Sequence, residues 1–203
     1  RLPLFGLRVL ITRSREQSSD FARLLRRHGA ETFEVPTIQV QPPPTWAELD
    51  EAVANLESYQ WVIFTSANGV RFFYQRLRAA GLDVRALKGV RVCAIGPATA
   101  QELERGGLFP DLIPTEYRAE GILEGMGEQS LNGMRILLAR AAEAREILPE
   151  ELQRRGAQVD VIAAYRTVRP PEQEVQVREL LRSKGIDLVT FTSSSTVKNF
   201  MDM

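Results

Sequence analysis

Short apolar runs alternate along the chain with longer segments in which apolar residues recur at helical spacing. The runs are rich in β-branched and aromatic residues, which predicts buried strands. They are LRVLIT (7–12), YQWVIFT (59–65), VRVCAIG (90–96), RILLA (135–139) and DLVTFT (187–192). The predicted helices lie at 18–27, 45–57, 68–80 and 98–104, before Gly156 and after Pro171. Strands that alternate with helices predict an α/β fold, with largely parallel sheets flanked by helices on both faces.

The sequence contains an internal duplication with a constant offset of 127 residues. The related pairs are RVLITR (8–13) with RILLAR (135–140), HGA (28–30) with RGA (155–157), Pro43-Pro44 with Pro170-Pro171, and FTSANGV (64–70) with FTSSSTV (191–197). Two repeats of this length would reach residue 254. We therefore expect about fifty residues of the second repeat, including its copy of AIGPATA, to lie beyond Met203.

Two extended segments occupy equivalent positions in the repeats: ETFEVPTIQV at 31–40 and VDVIAAYRTV at 159–168. Each runs towards consecutive prolines and alternates small apolar with polar residues, which favours an exposed two-stranded β ladder over strands within a sheet. A chain that crosses between two lobes at both segments would build each lobe from half of each repeat. The predicted parts are a discontinuous α/β lobe (1–34 with 169–203), a continuous α/β lobe (40–160) and linker strands (35–39 and 161–168).

The composition excludes several classes of protein. The 26 basic residues balance the 26 acidic ones, and no basic run alternates with aromatic residues, so we expect no nucleic-acid partner. Cys93 is the only cysteine and His28 the only histidine, which excludes disulfides and the usual zinc and iron sites. No apolar stretch approaches the roughly 20 residues of a membrane span, and no signal-peptide pattern opens the sequence. We predict a cytoplasmic protein without a membrane partner.

Residues suited to anion binding follow three of the predicted strands. In parallel α/β sheets, ligands bind beyond the carboxyl ends of the strands, where loops lead into helix N-termini that attract anions. The candidates are Thr65, Ser66, Ala67 and Asn68 in the first corner, Gly96, Pro97 and Thr99 in the second, and Thr192, Ser193 and Ser194 in the third. Ordinary helix capping explains one isolated corner. Three corners, two of them related by the duplication, favour a ligand-binding cleft.

Three further residues are candidates for the same cleft. Arg13 and Arg140 are equivalent in the two repeats, each at the end of a first strand, and an arginine there suits a carboxylate or phosphate. A surface charge or an ion pair with a neighbouring acid is the alternative. The phenol of Tyr165 is a candidate hydrogen-bond donor or weak acid, although a tyrosine in a strand more often packs. His28 is predicted as a helix C-cap and Cys93 as a core residue.

Common cofactor and nucleophile motifs are absent from the sequence. No GxGxxG follows a strand and no GxxxxGK[ST] occurs. The one histidine lies at a predicted helix end, so no Ser-His-Asp arrangement is available. We expect neither a cofactor nor a metal ion.

Six segments, in order along the whole chain, resemble the uroporphyrinogen-III synthase family. They are LITR (10–13), TSANGV (65–70), AIGPATA (94–100), RAEGILE (118–124), AYRT (164–167) and FTSSSTV (191–197). Each motif is weak alone, but the combination is specific. The resemblance implies two α/β lobes joined by a two-stranded ladder, a monomer, and an active site in the cleft between the lobes. Ser14 departs from the family pattern, in which proline usually follows the arginine.

The resemblance also implies a hydro-lyase reaction. Linear hydroxymethylbilane, which carries eight carboxylates, loses its hydroxyl to give an azafulvenium-like cation. Closure through a spiro intermediate inverts ring D and gives uroporphyrinogen III and water, whereas the bilane alone closes to the symmetric isomer. The three corners and the two arginines would bind the carboxylate arms. Tyr165 matches the family tyrosine proposed to assist departure of the hydroxyl.

Two functions of other classes fit the same residues. A two-lobed binding protein also closes on a small anion, and a sensory domain would bind a tetrapyrrole without turnover. Analysis of the products formed from hydroxymethylbilane separates both from an enzyme.

Overall fold

A computed structural model of the chain describes residues 2–13, 15–127, 130–144, 146–183, 185–191 and 194–202. The chain divides into two compact units. Unit 1 comprises Arg1–Gln41 and Thr167–Met203, and unit 2 comprises Pro42–Arg166. Across these described ranges, every helix is too short or too polar to cross a bilayer.

Strands and helices alternate as the apolar pattern predicts. In chain order the elements are β1 (Arg8–Ile11), α1 (Arg15–Arg27), β2 (Glu31–Glu34), β3 (Gln39–Gln41), α2 (Ala47–Ala54), β4 (Trp61–Phe64), α3 (Ala67–Ala79), β5 (Arg91–Ala94), α4 (Pro97–Arg105), α5 (Ala119–Gly125), β6 (Arg135–Ala141), α6 (Ile147–Arg154), β7 (Gln158–Val168), α7 (Pro171–Arg182), β8 (Leu188–Thr190) and α8 (Ser194–Met201). Short 3-10 turns at Leu56–Ser58 and Val84–Leu87 precede β4 and β5. The α/β class predicted from the sequence is confirmed.

Unit 2 is built on parallel strands in the order β7-β6-β4-β5. Ile63 of β4 belongs to a buried cluster with Ile122 of α5 and Leu148 of α6. Because side chains alternate along a strand, the next residue, Phe64, faces the other side. There it packs edge-on against Phe73 of α3, with 5.2 Å between ring centroids. Helices therefore cover both faces of this sheet, which explains why the central strand β4 is apolar at every position.

Unit 1 has a smaller parallel sheet in the order β2-β1-β8. Val9 and Ile11 of β1 pack with Ala22 of α1, while Leu10 packs with Val177 of α7. Both faces of β1 are thus covered by helices, as in unit 2. The strands of this sheet come from both repeats of the sequence.

The internal duplication is reproduced in the pairing of the strands. In unit 1, Arg8 is paired with Glu31 and Val9 with Leu188. Adding the offset of 127 residues to Arg8 and Glu31 gives Arg135 and Gln158, which are paired in unit 2. The pair Ile136 and Trp61 corresponds in the same way to Val9 and Leu188. Both sheets therefore use one register, which supports a duplication of the whole folding pattern.

Strand β7 contains the segment predicted as a linker strand at 161–168, but much of it also belongs to the unit 2 sheet. Its residues from Gln158 to Tyr165 pair with β6, so most of the segment belongs to a sheet. The physical reason is burial, because Ile162 and Ala164 point into the core of unit 2. The other predicted linker segment, 35–39, contains Pro36, whose missing N–H cannot join a ladder. The extended run at 31–40 accordingly splits into two short strands, β2 and β3.

Candidate active site

The carboxyl ends of three neighbouring strands meet at one edge of the unit 2 sheet. Strands β5, β4 and β6 are adjacent and parallel, so the residues that follow them lie along the same edge. This edge carries Thr65 after β4, Gly96 after β5 and Arg140 at the end of β6. It is the edge at which open α/β sheets bind ligands.

Ser66 caps the N-terminus of α3. Its backbone is extended, with φ −165° and ψ 154°, and its Oγ accepts a hydrogen bond from the N–H of Gly69 at 3.1 Å. This is the local reason that the helix begins at Ala67. The first-turn N–H groups of Ala67 and Asn68 have no helical carbonyl to bond with, as at any helix start. The side chain of Asn68 accepts a hydrogen bond from Arg71.

Tyr165 places its phenol on the Ser66 cap. The Tyr165 hydroxyl donates to Ser66 Oγ at 3.0 Å, and its ring stacks on Phe72 with 6.1 Å between centroids and 16° between planes. Only 7% of the residue is exposed. A shift of register between β6 and β7 leaves Ala164 without a partner, since Arg140 pairs with Ala163 and the next residue of β6 pairs with Tyr165. Such bulges re-aim side chains, and this one allows two successive residues of β7 to be buried.

The second corner is formed by the start of α4. Gly96 is the N-cap and Pro97 the first helical residue, which suits proline because that N–H would be unpaired in any case. A Cβ atom at Gly96 would lie 3.1 Å from Cγ of Tyr117, so the tyrosine ring rests on the cap. Thr99 is buried beneath the first turn, where its N–H bonds to the Gly96 carbonyl at 3.1 Å. Tyr117 itself is 63% exposed.

Arg140 is a buried cation at the end of β6. The residue is 5% exposed, and its guanidinium forms an ion pair with Glu146, the residue before α6. A pocket of about 290 Å³ lies beside it. The lining residues are Thr65, Ile95, Tyr117, Arg118, Ala119, Glu120, Leu138, Arg140, Ala144, Ile147 and Leu148. Thr65 and Arg140, which were predicted from different repeats, therefore share one pocket.

The unit 1 candidates are described in part. Arg13 follows β1 and is half-buried with an interaction partner, and the structure places it at the carboxyl edge of β1 and β8. Thr192 and Ser193 lie outside the described residues. Helix α8 begins at Ser194, as expected of a third corner after a strand.

The residues of this site that were not predicted from the sequence include Phe72, Tyr117 and Glu146. Tyr117 precedes the RAEGILE run by one residue, so its position beside that motif was the available clue. Glu146 follows Arg140 by six residues, a spacing with no helical or strand periodicity to suggest a contact. Over the described part of the chain, no three His, Cys, Asp or Glu side chains cluster in a way that would hold a metal ion.

Comparison with known proteins identifies the family. The family model described as uroporphyrinogen-III synthase HemD matches residues 19–203. A uroporphyrinogen-III synthase of Synechococcus elongatus is 38% identical over 205 residues, which cover 99% of this chain and 76% of that protein. The porphyrin biosynthesis protein HemD of Ruminiclostridium josui is 32% identical over 98% of this chain and 40% of its own length.

A solved structure shows the same fold. The crystal structure of a mutant uroporphyrinogen III synthase from the extremely thermophilic bacterium Thermus thermophilus superposes with a TM-score of 0.71 at 21% identity, covering 97% of this chain and 77% of that one. At this identity the likeness concerns the fold, and the family assignment comes from the sequence matches. The chain belongs to the uroporphyrinogen-III synthase family.

Proposed function

We propose that the protein cyclises hydroxymethylbilane to uroporphyrinogen III with inversion of ring D and release of water. The main structural support for this proposal is the position of Tyr165. Its hydroxyl is held 3.0 Å from Ser66 Oγ, at a helix N-terminus on the ligand-binding edge of the sheet. Membership of the family supports the reaction class, a lyase of tetrapyrrole biosynthesis.

In this proposal, the corners of unit 2 bind carboxylate arms of the substrate. The first-turn N–H groups at the starts of α3 and α4 and the guanidinium of Arg140 are suited to carboxylates. The hydroxyls of Thr65 and Ser66 add donors at the same edge. Arg13 and the third corner, Thr192, Ser193 and Ser194, are assigned to further arms. One chain supplies all of these groups, so the proposal requires no second subunit.

Tyr165 is assigned the proton that assists departure of the substrate hydroxyl. The C–O bond breaks, the phenol proton joins the leaving oxygen, and water leaves with the bonding electron pair. The positive charge that remains is delocalised over the pyrrole as an azafulvenium ion. The phenolate regains a proton when the final ring closure releases one from a pyrrole carbon. Ser66 and Phe72 hold the phenol in place, and its O–H turns from Ser66 Oγ towards the leaving oxygen when it donates the proton.

The main task of the remaining residues is conformational. The bilane closes by itself to the symmetric isomer, so the enzyme accelerates one of two competing closures. Binding several arms at fixed points restricts the chain to geometries in which the substituted carbon of the last pyrrole is attacked. Such binding is spread over backbone N–H groups, so single side-chain changes in the corners should have modest effects.

Product analysis tests the proposal. Freshly prepared hydroxymethylbilane is incubated with the full-length protein, and the resulting uroporphyrinogens are oxidised and separated by isomer. We expect uroporphyrinogen III to dominate and to form faster than the symmetric isomer forms without protein. Formation of the symmetric isomer alone, at the uncatalysed rate, would overturn the proposal.

A further inference from the structure

Arg140 and Glu146 form an unequal ion pair. Arg140 is almost completely buried, whereas the side chain of Glu146 is 61% exposed. A buried guanidinium needs a counter-charge, because an unpaired charge in a protein interior is strongly unfavourable. An exposed carboxylate gains little from the same pair, since solvent screens it. The arginine therefore requires a carboxylate, but not this particular one.

Glu146 has an alternative position when it leaves Arg140. It is the N-cap residue of α6, with φ −83° and ψ −7°, and its side chain makes no capping hydrogen bond. The positive end of the helix dipole stabilises a negative charge at that place. Releasing Glu146 from the ion pair would thus cost little, because its carboxylate stays beside the start of α6.

The loop that carries Glu146 is specific to the second repeat. Helix α1 begins at Arg15, two residues after Arg13, whereas α6 begins at Ile147, seven residues after Arg140. The position equivalent to Glu146 in the first repeat is Ser19, which carries no charge. The longer loop and the acidic residue therefore occur together after Arg140, and neither is found at the equivalent positions after Arg13.

The pocket beside the pair has the size and lining of a subsite. Its volume of about 290 Å³ is just below the range of pockets that hold a whole ligand of drug size, so it suits only part of a tetrapyrrole. Leu138, Leu148 and Ile95 supply apolar walls, while Thr65, Arg118 and Glu120 supply polar groups. Arg118 is held by an ion pair with a neighbouring glutamate at 2.5 Å. Apolar walls with a cation at one end match a pyrrole that carries an acidic arm.

We propose that this pocket is the subsite for one carboxylate arm of the substrate. In the free protein Glu146 forms the ion pair with Arg140, and the substrate carboxylate displaces Glu146 when it binds. The inference rests on the proposed function, because it takes the ligand to be a polycarboxylic tetrapyrrole. Glu146 keeps the buried guanidinium paired in the free protein. It also competes with the ligand, so its removal strengthens binding.

The test is a double-mutant cycle on binding of uroporphyrinogen III, kept reduced and measured by isothermal titration calorimetry. Glu146→Gln should bind about threefold to tenfold more tightly than the wild type, and Arg140→Gln about tenfold more weakly. In the Arg140→Gln background, the Glu146→Gln change should have no effect. Glu150→Gln removes the same charge one turn along α6 and should change the affinity by less than about twofold.

Loss of the buried arginine can impair folding, so Arg140→Lys provides a second background. It retains the positive charge but lacks the planar fork, and the gain from Glu146→Gln should shrink there. Unchanged or weaker binding by Glu146→Gln in the wild-type background would refute the competition between Glu146 and the ligand for Arg140. This result is separable from the proposed function, because isomer analysis reports turnover independently. If the double-mutant cycle gives the expected affinities but only the symmetric isomer forms, the carboxylate subsite is supported and the proposed synthase activity is refuted.

Discussion

The hydroxyl of Tyr165 donates a hydrogen bond to Oγ of Ser66 at 3.0 Å, and the same oxygen accepts the N–H of Gly69 at 3.1 Å. One serine oxygen thus fixes both the first turn of α3 and the phenol. Because the two bonds share an acceptor, the orientation of the tyrosine depends on the helix start. Substitutions at Tyr165 and Ser66 distinguish the effect on the phenol from the effect on the start of α3.

Tyr165→Phe should lower turnover without unfolding the protein. The phenylalanine ring keeps its stacking on Phe72, and Ser66 keeps its bond to Gly69, so stability should change by less than about 1.5 kcal/mol. If the phenol assists departure of the hydroxyl, kcat should fall by at least about tenfold. The measurement is single-turnover formation of uroporphyrinogen III. Full turnover with an unchanged isomer ratio would reduce Tyr165 to a packing residue.

Ser66→Ala should affect stability and isomer ratio together. Loss of the cap is expected to reduce the free energy of unfolding by about 1 kcal/mol, and the phenol loses its fixed acceptor. More of the symmetric isomer should then form. Ser66→Thr retains a capping hydroxyl and should restore both quantities; if it restores stability but not the isomer ratio, the hydrogen bond does not control the phenol.

Gly69→Ala should destabilise unit 2 although alanine favours helices. A Cβ atom at this position would lie 3.0 Å from the carbonyl oxygen of Ala139, in a central strand that cannot easily move. The expected loss of about 1–3 kcal/mol exceeds the gain of about 1 kcal/mol from helix propensity. Urea unfolding followed by tryptophan fluorescence reports on this unit, because both tryptophans, Trp46 and Trp61, lie in it. Gln75→Ala, on the exposed face of the same helix, should be nearly neutral.

Asp160 should matter for stability and not for catalysis. It accepts a hydrogen bond from Tyr59 at 2.5 Å and pairs with Arg135 at 2.7 Å, at the edge of the sheet opposite to Tyr165. Asp160→Ala leaves both donors without this acceptor. Because the ion pair is about one-third exposed, we expect a loss of about 1–3 kcal/mol, reduced by solvent screening. Isomer ratio should be unchanged at temperatures where the variant is folded; a changed ratio would contradict the assignment of the site to the other edge.

Stability of unit 2 should fall in alkaline solution. Burial raises the pKa of the Cys93 thiol to about 12, and burial also raises the pKa of Tyr74 to about 12. Unfolding lets the thiol ionise from about pH 9 and the phenol from about pH 10, so the unfolded chain binds fewer protons than the folded one. These contributions are complete below those values and are lost as the pH rises towards 12.

The Cys93 contribution is measured through its own variant. Between pH 9 and 10, the free energy of unfolding of the wild type should decrease by up to about 1.4 kcal/mol per pH unit more than that of Cys93→Ala. Tyr74→Phe should follow the wild type near pH 9 and diverge from it as the pH rises through 10. Equal slopes for all three proteins would show that Cys93 is not buried as described.

The apolar runs were sufficient to predict the central strands. Runs such as YQWVIFT are apolar because helices cover both faces of the sheet. Neither face of the strand is exposed to solvent, so polar residues do not alternate with the apolar ones. Helix α5, by contrast, was not predicted, because its seven residues are too few to establish a helical period. The pairing of residues up to Tyr165 with β6 was not predicted, since alternation alone does not distinguish an exposed strand from the edge of a packed sheet.

The site was predictable where it depends on strand ends, and not where it depends on loops. Thr65, Gly96 and Arg140 follow directly from the parallel order of the strands. The contact of Tyr165 with Ser66 requires the bulge beside Arg140, which leaves no mark in the sequence. The ion pair of Arg140 with Glu146 depends on a loop conformation in the same way.

The shared register of the two sheets has a consequence for the order of folding during synthesis. Unit 2 is continuous in sequence, so all of its strands exist once residue 166 has been made. Val9 of β1, in contrast, pairs with Leu188, which the ribosome adds 179 residues later. At a synthesis rate of about 5–20 residues per second, roughly 10–35 s pass between the synthesis of β1 and that of β8, with which it pairs. The amino-terminal strand therefore gains this neighbour only after all of unit 2 has been made, although it is the first strand to be made.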